Sequence, residues 1–146
     1  MSIMDYLTDE DKAEYQAWLK AKREAKRFKQ FLLEYKWYVY ELLDEGVPFY
    51  VGKGSGMRIF MHERDVRRKL KGLLVYREYA LSSDKERKIA YILCYGGKIG
   101  YRIVLRTNDE REALVAERCH TYRNRRTLLN VRIMRSKIDK VRTVRR

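Results

Sequence analysis

A pair of predicted β-strands joined by a tight turn constrains this chain more than any other feature. Residues 37–43 are rich in tyrosine and valine, which favour extended backbone, and the Asp-Glu-Gly sequence at residues 44–46 is typical of a turn. Residues 48–52 predict the returning strand, since proline is tolerated where a strand begins. The segment therefore predicts an antiparallel hairpin, and residues 53–56 predict the loop that leaves it.

The turn also predicts which side chains lie opposite each other in the hairpin. A hairpin centred on Glu45 places Tyr40 opposite Tyr50. The same register places Tyr38 opposite Gly52. Because strand side chains alternate between faces, these four positions are expected on one face of the sheet. Tyrosine pairs also stabilise strands that have no further role, so the hairpin alone does not indicate a function.

A long helix is predicted before the hairpin. Thr8 followed three residues later by Asp11 predicts an N-cap, and apolar residues at steps of three and four predict a helix over residues 9–33. This apolar stripe needs a partner, which is either the rest of the domain or a second copy of the chain in a homodimer. The stripe consists of Trp18, Ala21, Ala25, Phe28 and Leu32.

The remaining elements complete an α+β pattern. Periodicity and capping residues predict helices at about residues 57–70, 83–95 and 107–123, a strand at residues 98–106 and a short extended piece at residues 128–131. The sequence thus predicts an α+β fold, with a small three-stranded antiparallel sheet flanked by helices and an N-terminal helix. We divide it into an N-terminal helical extension at 1–35, a central domain at 36–131 and a basic tail at 132–146.

The charge of the chain indicates a polyanionic partner. Lysine and arginine number 34 against 20 aspartate and glutamate residues, a net charge of +14. The first 35 residues are neutral, with seven basic and seven acidic side chains, so the excess lies in the central domain and the tail. Nucleic acid is the favoured partner, and the tail is expected to contact it without sequence preference.

Features of other protein classes are missing from the sequence. No run of about 18 apolar residues predicts a membrane span, and the N-terminus has no basic region followed by an apolar stretch, so no membrane partner and no signal peptide are expected. Cys94 and Cys119 have no metal-ligand spacing and are expected to be reduced core residues. These observations predict a cytoplasmic protein.

The residues that follow the hairpin point to phosphate chemistry. Arg58 and His62 are four residues apart, which places them on one face of the predicted helix. Gly54 and Gly56 permit a close approach of the backbone to a phosphate. Hydrolysis of a phosphodiester needs a base for water and fixed cations for the oxygens that gain charge. Tyrosines, a lysine, an arginine and a histidine supply such groups here.

These pieces of sequence resemble the motifs of the GIY-YIG nuclease family. Residues 112–117 resemble the family's third helix, which carries its metal-binding glutamate, and residues 128–130 resemble its closing strand with its asparagine. The similarity spans about residues 36–131 and is greatest to the LEM-3-like branch. The hairpin and helix motifs that carry it are Tyr38-Val39-Tyr40, Tyr50-Val51-Gly52 and Arg58 followed four residues later by His62.

The resemblance implies an endonuclease that hydrolyses DNA with one Mg²⁺ or Mn²⁺ ion. Tyr40 and Tyr50 take the places of the two motif tyrosines. Arg58 would bind the scissile phosphate, and His62 would assist proton transfer or hold a tyrosine or water in place. Glu117 would hold the metal ion. Homing, restriction, repair and phage-related degradation all use this family, so the biological role and a phage or mobile-element origin stay open.

Other residues receive supporting roles from the same resemblance. Gly52 is the glycine of the second motif, Asn130 would support the site, and Lys53 would contact phosphate or join a general-base network. Tyr38 stands where the family has glycine, and its ring is expected to narrow the site. A basic run on the helix after the motif is expected to follow the DNA backbone. Its members include Arg67, Arg68 and Lys71.

The mechanism expected from the sequence uses a tyrosine as base. A free phenol has a pKa of about 10, so Tyr40 or Tyr50 would need Arg58 and Lys53 nearby to lower it. Two other interpretations stay open. One is a non-catalytic basic module that stacks bases on its tyrosines. The other is a nuclease-like fold that acts as an inhibitor or assembly factor through the helix at residues 9–33.

Overall fold

The computed structural model describes residues 6–75 and 81–129, and within them the chain has an α+β fold with one three-stranded antiparallel sheet and four helices. This confirms the predicted fold class at that level. Asn130, Val131 and the tail at 132–146 lie outside the described residues. The elements in chain order are α1 (Asp9–Leu33), β1 (Trp37–Asp44), β2 (Val47–Gly54), α2 (Arg58–Val75), α3 (Asp84–Cys94), β3 (Gly100–Thr107) and α4 (Glu110–Arg123).

Strand β1 lies at the centre of the sheet, between β2 and β3. Its even-numbered side chains, including Tyr38 and Tyr40, are buried against α2 and α3 in the larger apolar core. Its odd-numbered Val39 packs with Val51 of β2 and with Ala113 of α4 in a second, smaller core. The sheet is therefore covered on both faces, and the tyrosines face α2 and α3.

The predicted hairpin register is wrong by two residues. Tyr40 lies opposite Gly52, and Leu42 lies opposite Tyr50. Two features move the pairing from the predicted centre. One is a two-residue turn at Glu45 and Gly46, both with positive φ, and the other is an irregularity between Leu42 and Leu43. Because the difference is an even number of residues, the predicted sharing of one face is preserved.

Several element boundaries also differ from those predicted, and three of the differences bear on the site. Lys53 and Gly54 belong to β2 rather than to the loop, because β1 continues to pair with them. Helix α2 is longer than expected and extends to Val75. Asp109, not Thr107, caps α4: its side chain accepts a hydrogen bond from the backbone of Arg111. Thr107 ends β3.

Helix α1 begins as predicted, with Thr8 and Asp11 forming a reciprocal capping box. The domain covers only its C-terminal part. Leu32 is buried, and Phe28 packs edge-on against Phe60 of α2 with ring centroids 5.6 Å apart. The rest of the apolar stripe, from Trp18 to Ala25, is exposed.

The structure also tests two smaller predictions, one on the cysteines and one on residues 128–131. Cys94 and Cys119 are both free thiols, and both are exposed, so their expected place in the core is wrong. Of the predicted extended piece, Leu128 and Leu129 are described: they belong to no strand, and the backbone N–H of Leu129 donates to the carbonyl of Phe49 at 2.9 Å. Within the described ranges, no helix is both long enough and apolar enough to cross a membrane.

Candidate active site

The tyrosine face of the hairpin depends on the lack of a side chain at Gly52. A Cβ atom at this position would lie 2.7 Å from the Tyr40 hydroxyl oxygen and 2.9 Å from Cε1 of Tyr50. Both distances are shorter than van der Waals contact, so only glycine leaves room for the two rings. The rings themselves are 6.3 Å apart between centroids. Gly52 therefore brings the two phenols together although they are not directly opposite in register.

Tyr40 and His62 form the closest contact of the site. The Tyr40 hydroxyl lies 2.5 Å from Nε2 of His62, which projects from the second turn of α2. Burial lowers the pKa of His62 to about 4, and the cations of Lys85 and Arg58 contribute. Burial also raises the pKa of Tyr40, as does the neighbouring Tyr50. At neutral pH the contact is therefore a hydrogen bond between a protonated phenol and a neutral imidazole, with its direction set by the imidazole tautomer.

Tyr50 offers a second phenol whose hydroxyl has no hydrogen-bond partner among residues 6–75 and 81–129. Its ring packs edge-on against His62, with centroids 5.4 Å apart. Burial and the carboxylate of Glu117 raise the pKa of Tyr50, while Arg58 opposes them. Tyr50 is only partly buried. Its hydroxyl is thus available to a bound molecule.

Tyr38 has a different role from the other two tyrosines. It is fully buried, and its ring packs over Gly54. Its hydroxyl donates to the carbonyl of Gly56 at 2.9 Å and accepts from the backbone N–H of Ile59 at 3.1 Å. The sequence suggested that the Tyr38 ring narrows an open site, and the structure contradicts this because the ring is buried. It fixes the loop from which α2 begins, and with it the position of Arg58.

Arg58 is the first residue of α2 and is exposed. Its positive charge opposes the burial that raises the pKa of Tyr38, Tyr40 and Tyr50, so the guanidinium lies near all three phenols. In the part of the chain that the structure describes, no carboxylate forms an ion pair with it. Arg58 and His62, which are four residues apart on α2, thus both lie near the tyrosines.

Glu117 approaches the same place from α4. Its Oε1 accepts a hydrogen bond from the backbone N–H of Lys53 at 3.1 Å, on the outer edge of β2. Its charge raises the pKa of both Tyr40 and Tyr50, although burial is the larger cause. Sixty-four residues separate Glu117 from Lys53 in sequence, and the packing of α4 on the sheet brings them together.

A buried carboxylate helps to hold α4 in that position. Glu41 of β1 is 2% exposed and lies on the face of the sheet opposite the tyrosines. It accepts hydrogen bonds from Arg102 of β3 at 2.6 Å and from the Asn124 side chain at the end of α4 at 3.0 Å. Burial of a carboxylate is costly without such partners, so these bonds fix the end of α4 relative to the sheet.

Glu117 is the one carboxylate of the predicted site that could hold a divalent metal ion. Within residues 6–75 and 81–129, no group of three or more histidine, cysteine, aspartate or glutamate side chains is arranged to hold a metal. Only one oxygen of Glu117 has a hydrogen-bond donor in that part of the chain. Mg²⁺ commonly binds through one or two carboxylates and takes its other oxygens from water and substrate phosphate. The donor set is consistent with that pattern.

No family model, curated protein or solved structure matches this chain.

The resemblance to the GIY-YIG family therefore depends on the sequence motifs alone. Of the five residues predicted to be catalytic, the structure brings all into one cluster. These residues are Tyr40, Tyr50, Arg58, His62 and Glu117.

Several supporting residues are placed elsewhere. The Lys53 side chain points to the opposite face of the sheet, where Nζ lies 2.5 Å from Glu110 and 4.4 Å from the centre of the Trp37 ring. Its backbone, not its amine, faces the site. Arg67, Arg68 and Lys71 are exposed on α2, and the first two form ion pairs with Glu63 and Asp65 of the same helix.

Sequence reasoning missed one cation of the cluster. Lys85 lies in the first turn of α3, and its Nζ is 4.7 Å from the centre of the Tyr50 ring. It also contributes to the low pKa of His62. No motif marks this lysine, since it is 23 positions beyond His62 and belongs to another helix. Only the packing of α3 beside α2 brings it to the tyrosines.

Proposed function

We propose that the protein is a metal-dependent endonuclease of the GIY-YIG type that hydrolyses DNA phosphodiester bonds. One observation carries the proposal: the Tyr40 hydroxyl is 2.5 Å from a neutral His62. Around this pair lie a second phenol, an arginine with no ion pair in the described residues, and the Glu117 carboxylate, which approaches from the edge of β2. A base, a fixed cation and a carboxylate are the groups that in-line phosphate chemistry requires.

The pair suggests a proton route that differs from the one expected from sequence. Arg58 does not lower the pKa of Tyr40 below its ordinary value, because burial outweighs the charge. A free phenolate is therefore not the resting base. Instead, water gives its proton to the Tyr40 oxygen as Tyr40 gives its own proton to Nε2 of His62. The resulting hydroxide attacks phosphorus in line as the bond to the 3′-oxygen breaks. The 3′-oxygen leaves with the bonding electron pair and takes a proton from solvent, and His62 returns its extra proton to solvent.

Arg58 and Glu117 supply the charges that this step needs. The guanidinium forms a two-point contact with phosphate oxygens, a geometry that lysine does not reproduce. A single Mg²⁺ or Mn²⁺ ion bound to Glu117 would neutralise negative charge on a non-bridging oxygen and on the leaving oxygen. Glu117 is suited to hold it because the Lys53 N–H fixes one of its oxygens.

The substrate class follows from the charge and from the resemblance. A net charge of +14 favours a polyanion, and the exposed cations of α2 extend from the site along one helix. Arg67, Arg68 and Lys71 would follow the backbone of the substrate. The choice of DNA over RNA comes from the family resemblance alone.

The test is incubation of supercoiled plasmid with purified protein in Mg²⁺, Mn²⁺ or EDTA. We expect nicked or linear product only with metal, and none from Glu117→Ala, which should still bind DNA. The matched control is Glu112→Gln, on the same helix, because Glu112 accepts a hydrogen bond from Thr107 rather than facing the tyrosines. Glu112→Gln should cut at the parent rate.

Two results would refute the proposal. Cleavage by Glu117→Ala at the parent rate would show that Glu117 does not hold a catalytic metal ion. Binding without cleavage in any metal, retained after loss of Arg58 or Glu117, would instead identify the alternative, a basic module that binds nucleic acid on its tyrosines without catalysis. Thermal unfolding of each variant shows whether a loss of cleavage reflects chemistry or folding.

A further inference from the structure

Lys85 is a half-buried cation without a matching anion. Its amine lies 4.7 Å from the centre of the Tyr50 ring, so part of its surroundings is aromatic rather than water. Removing an ammonium group from water is unfavourable unless a carboxylate or hydrogen-bond acceptor replaces the lost hydration. No carboxylate lies within ion-pair distance of Lys85 among residues 6–75 and 81–129.

The neighbouring lysines show that the lack of an ion-pair partner is specific to Lys85. Lys88, one turn later on α3, pairs with Asp44 at 2.6 Å. Lys69, which faces α3 from α2, pairs with Glu86 at 2.7 Å. Acidic partners are thus present around this helix, and they are used by other lysines.

The position of Lys85 also adds to an existing positive charge. Burial lowers the pKa of Lys85, and the guanidinium of Arg58 and the amine of Lys69 act in the same direction, against Glu86 and Asp65. Two mutually repelling cations, Arg58 and Lys85, therefore lie near Tyr50, and neither forms an ion pair within residues 6–75 and 81–129. Such an arrangement costs stability in the free protein and is relieved when an anion binds.

We propose that Lys85 forms a second phosphate subsite, which holds a backbone phosphate of the substrate strand next to the one that Arg58 binds. The ligand class is a nucleic-acid phosphodiester, because a single strand supplies successive phosphates about 3.4 Å apart along the helix axis and so satisfies both cations together. The aromatic face of Tyr50 lies against the Lys85 amine. The subsite deepens the proposed nuclease function and rests on it for the phosphate held by Arg58.

The experiment measures binding in EDTA, so that cleavage plays no part. Fluorescence anisotropy with a short labelled DNA duplex gives the dissociation constant over a range of salt concentrations. Each phosphate contact contributes about 0.9 to the slope of the logarithm of affinity against the logarithm of salt. We expect Lys85→Met to reduce the slope by about that amount, and Lys85→Arg to keep it. The control is Lys98→Met, which removes an equal charge from an exposed residue before β3.

Unfolding in urea separates a binding role from a structural one. Lys85→Met keeps the apolar stem and removes an unpaired cation, so its unfolding midpoint should equal or exceed that of the parent. A lower midpoint would show that Lys85 stabilises the fold and would overturn the proposal. An unchanged salt slope in Lys85→Met, or an equal change in Lys98→Met, would also overturn it. If the parent binds DNA with the expected slopes but never cuts, the nuclease function fails while the subsite stands.

Discussion

The hydroxyl of Tyr40 on β1 lies 2.5 Å from Nε2 of His62 on α2. This contact joins the sheet to the helix that carries Arg58, and it is made between a protonated phenol and a neutral imidazole. Each residue restricts the other: the imidazole orients the hydroxyl, and the hydroxyl contacts Nε2 of the imidazole. The two residues therefore act as one unit, which makes their joint removal informative.

Loss of either member of this unit should remove the same part of catalysis. Positioned proton transfer contributes about a hundred- to ten-thousand-fold to rate. We expect Tyr40→Phe and His62→Gln each to reduce the single-turnover cleavage rate within that range. The double variant should be no slower than the slower single variant, because residues that act together are strongly non-additive.

Multiplicative losses in the double variant would show that the two residues act separately. Tyr95→Phe is the control, since Tyr95 is 78% exposed at the end of α3 and is not part of the cluster. It should cut at the parent rate.

The low pKa of His62 predicts a pH dependence of folding. The folded protein keeps His62 neutral down to about pH 4, whereas the unfolded chain protonates it near the ordinary value of 6.5. Between these values the unfolded state binds more protons, so the free energy of unfolding should fall as the pH is lowered from 6.5 to 4. His62→Gln lacks this contribution.

The measurement is urea unfolding of both proteins at several pH values in that window. The difference between the parent and His62→Gln should depend on pH, with the parent losing more stability at low pH. Groups that are present in both proteins cancel from the comparison. Parallel pH profiles would show that His62 is not protected from protonation.

The two glycines of β2 predict a graded series of destabilisation. A Cβ at Gly52 would meet the Tyr40 hydroxyl at 2.7 Å, whereas a Cβ at Gly54 would meet the Tyr38 ring at 3.2 Å. Overpacking of this kind costs about 1–3 kcal/mol. We expect Gly52→Ala to lie towards the upper end of that range and Gly54→Ala towards the lower end, as measured by urea unfolding. Equal effects would mean that the tyrosine rings move aside freely.

The exposed part of α1 predicts self-association. The domain covers Phe28 and Leu32, but Trp18 is 53% exposed and stacks only on Tyr15 of the same helix within the described chain. The first turn of α1 is acidic, and residues 20–29 are rich in lysine and arginine. An antiparallel pair of α1 helices would place opposite charges together and cover both copies of Trp18.

Sedimentation velocity tests this prediction directly. We expect the parent to sediment as a dimer at micromolar concentration and Trp18→Glu to sediment as a monomer. Tyr95→Glu, which adds the same charge at another exposed aromatic residue, should remain dimeric. A monomeric parent would show that a second copy does not cover the stripe.

The sequence by itself determined the local features of this protein. The α1 cap, the hairpin and the sharing of one face by Tyr38, Tyr40 and Tyr50 all follow from rules that act over a few residues. Face sharing was predicted correctly even though the register was not. Strand alternation has a period of two, so a shift of two residues leaves it unchanged.

Only the tertiary structure decided which groups enter the cluster. The turn conformation at Glu45 and the irregularity after Leu42 set the register, and neither has a signal that fixes it from residue type alone. The sequence predicted the Lys53 side chain in the site and did not predict Lys85. In the structure, the Lys85 side chain lies at the tyrosines and the Lys53 side chain lies on the opposite face of the sheet. The reason is physical: the direction of the Lys53 side chain depends on its strand continuing beyond Gly52, and the position of Lys85 depends on how α3 packs against α2.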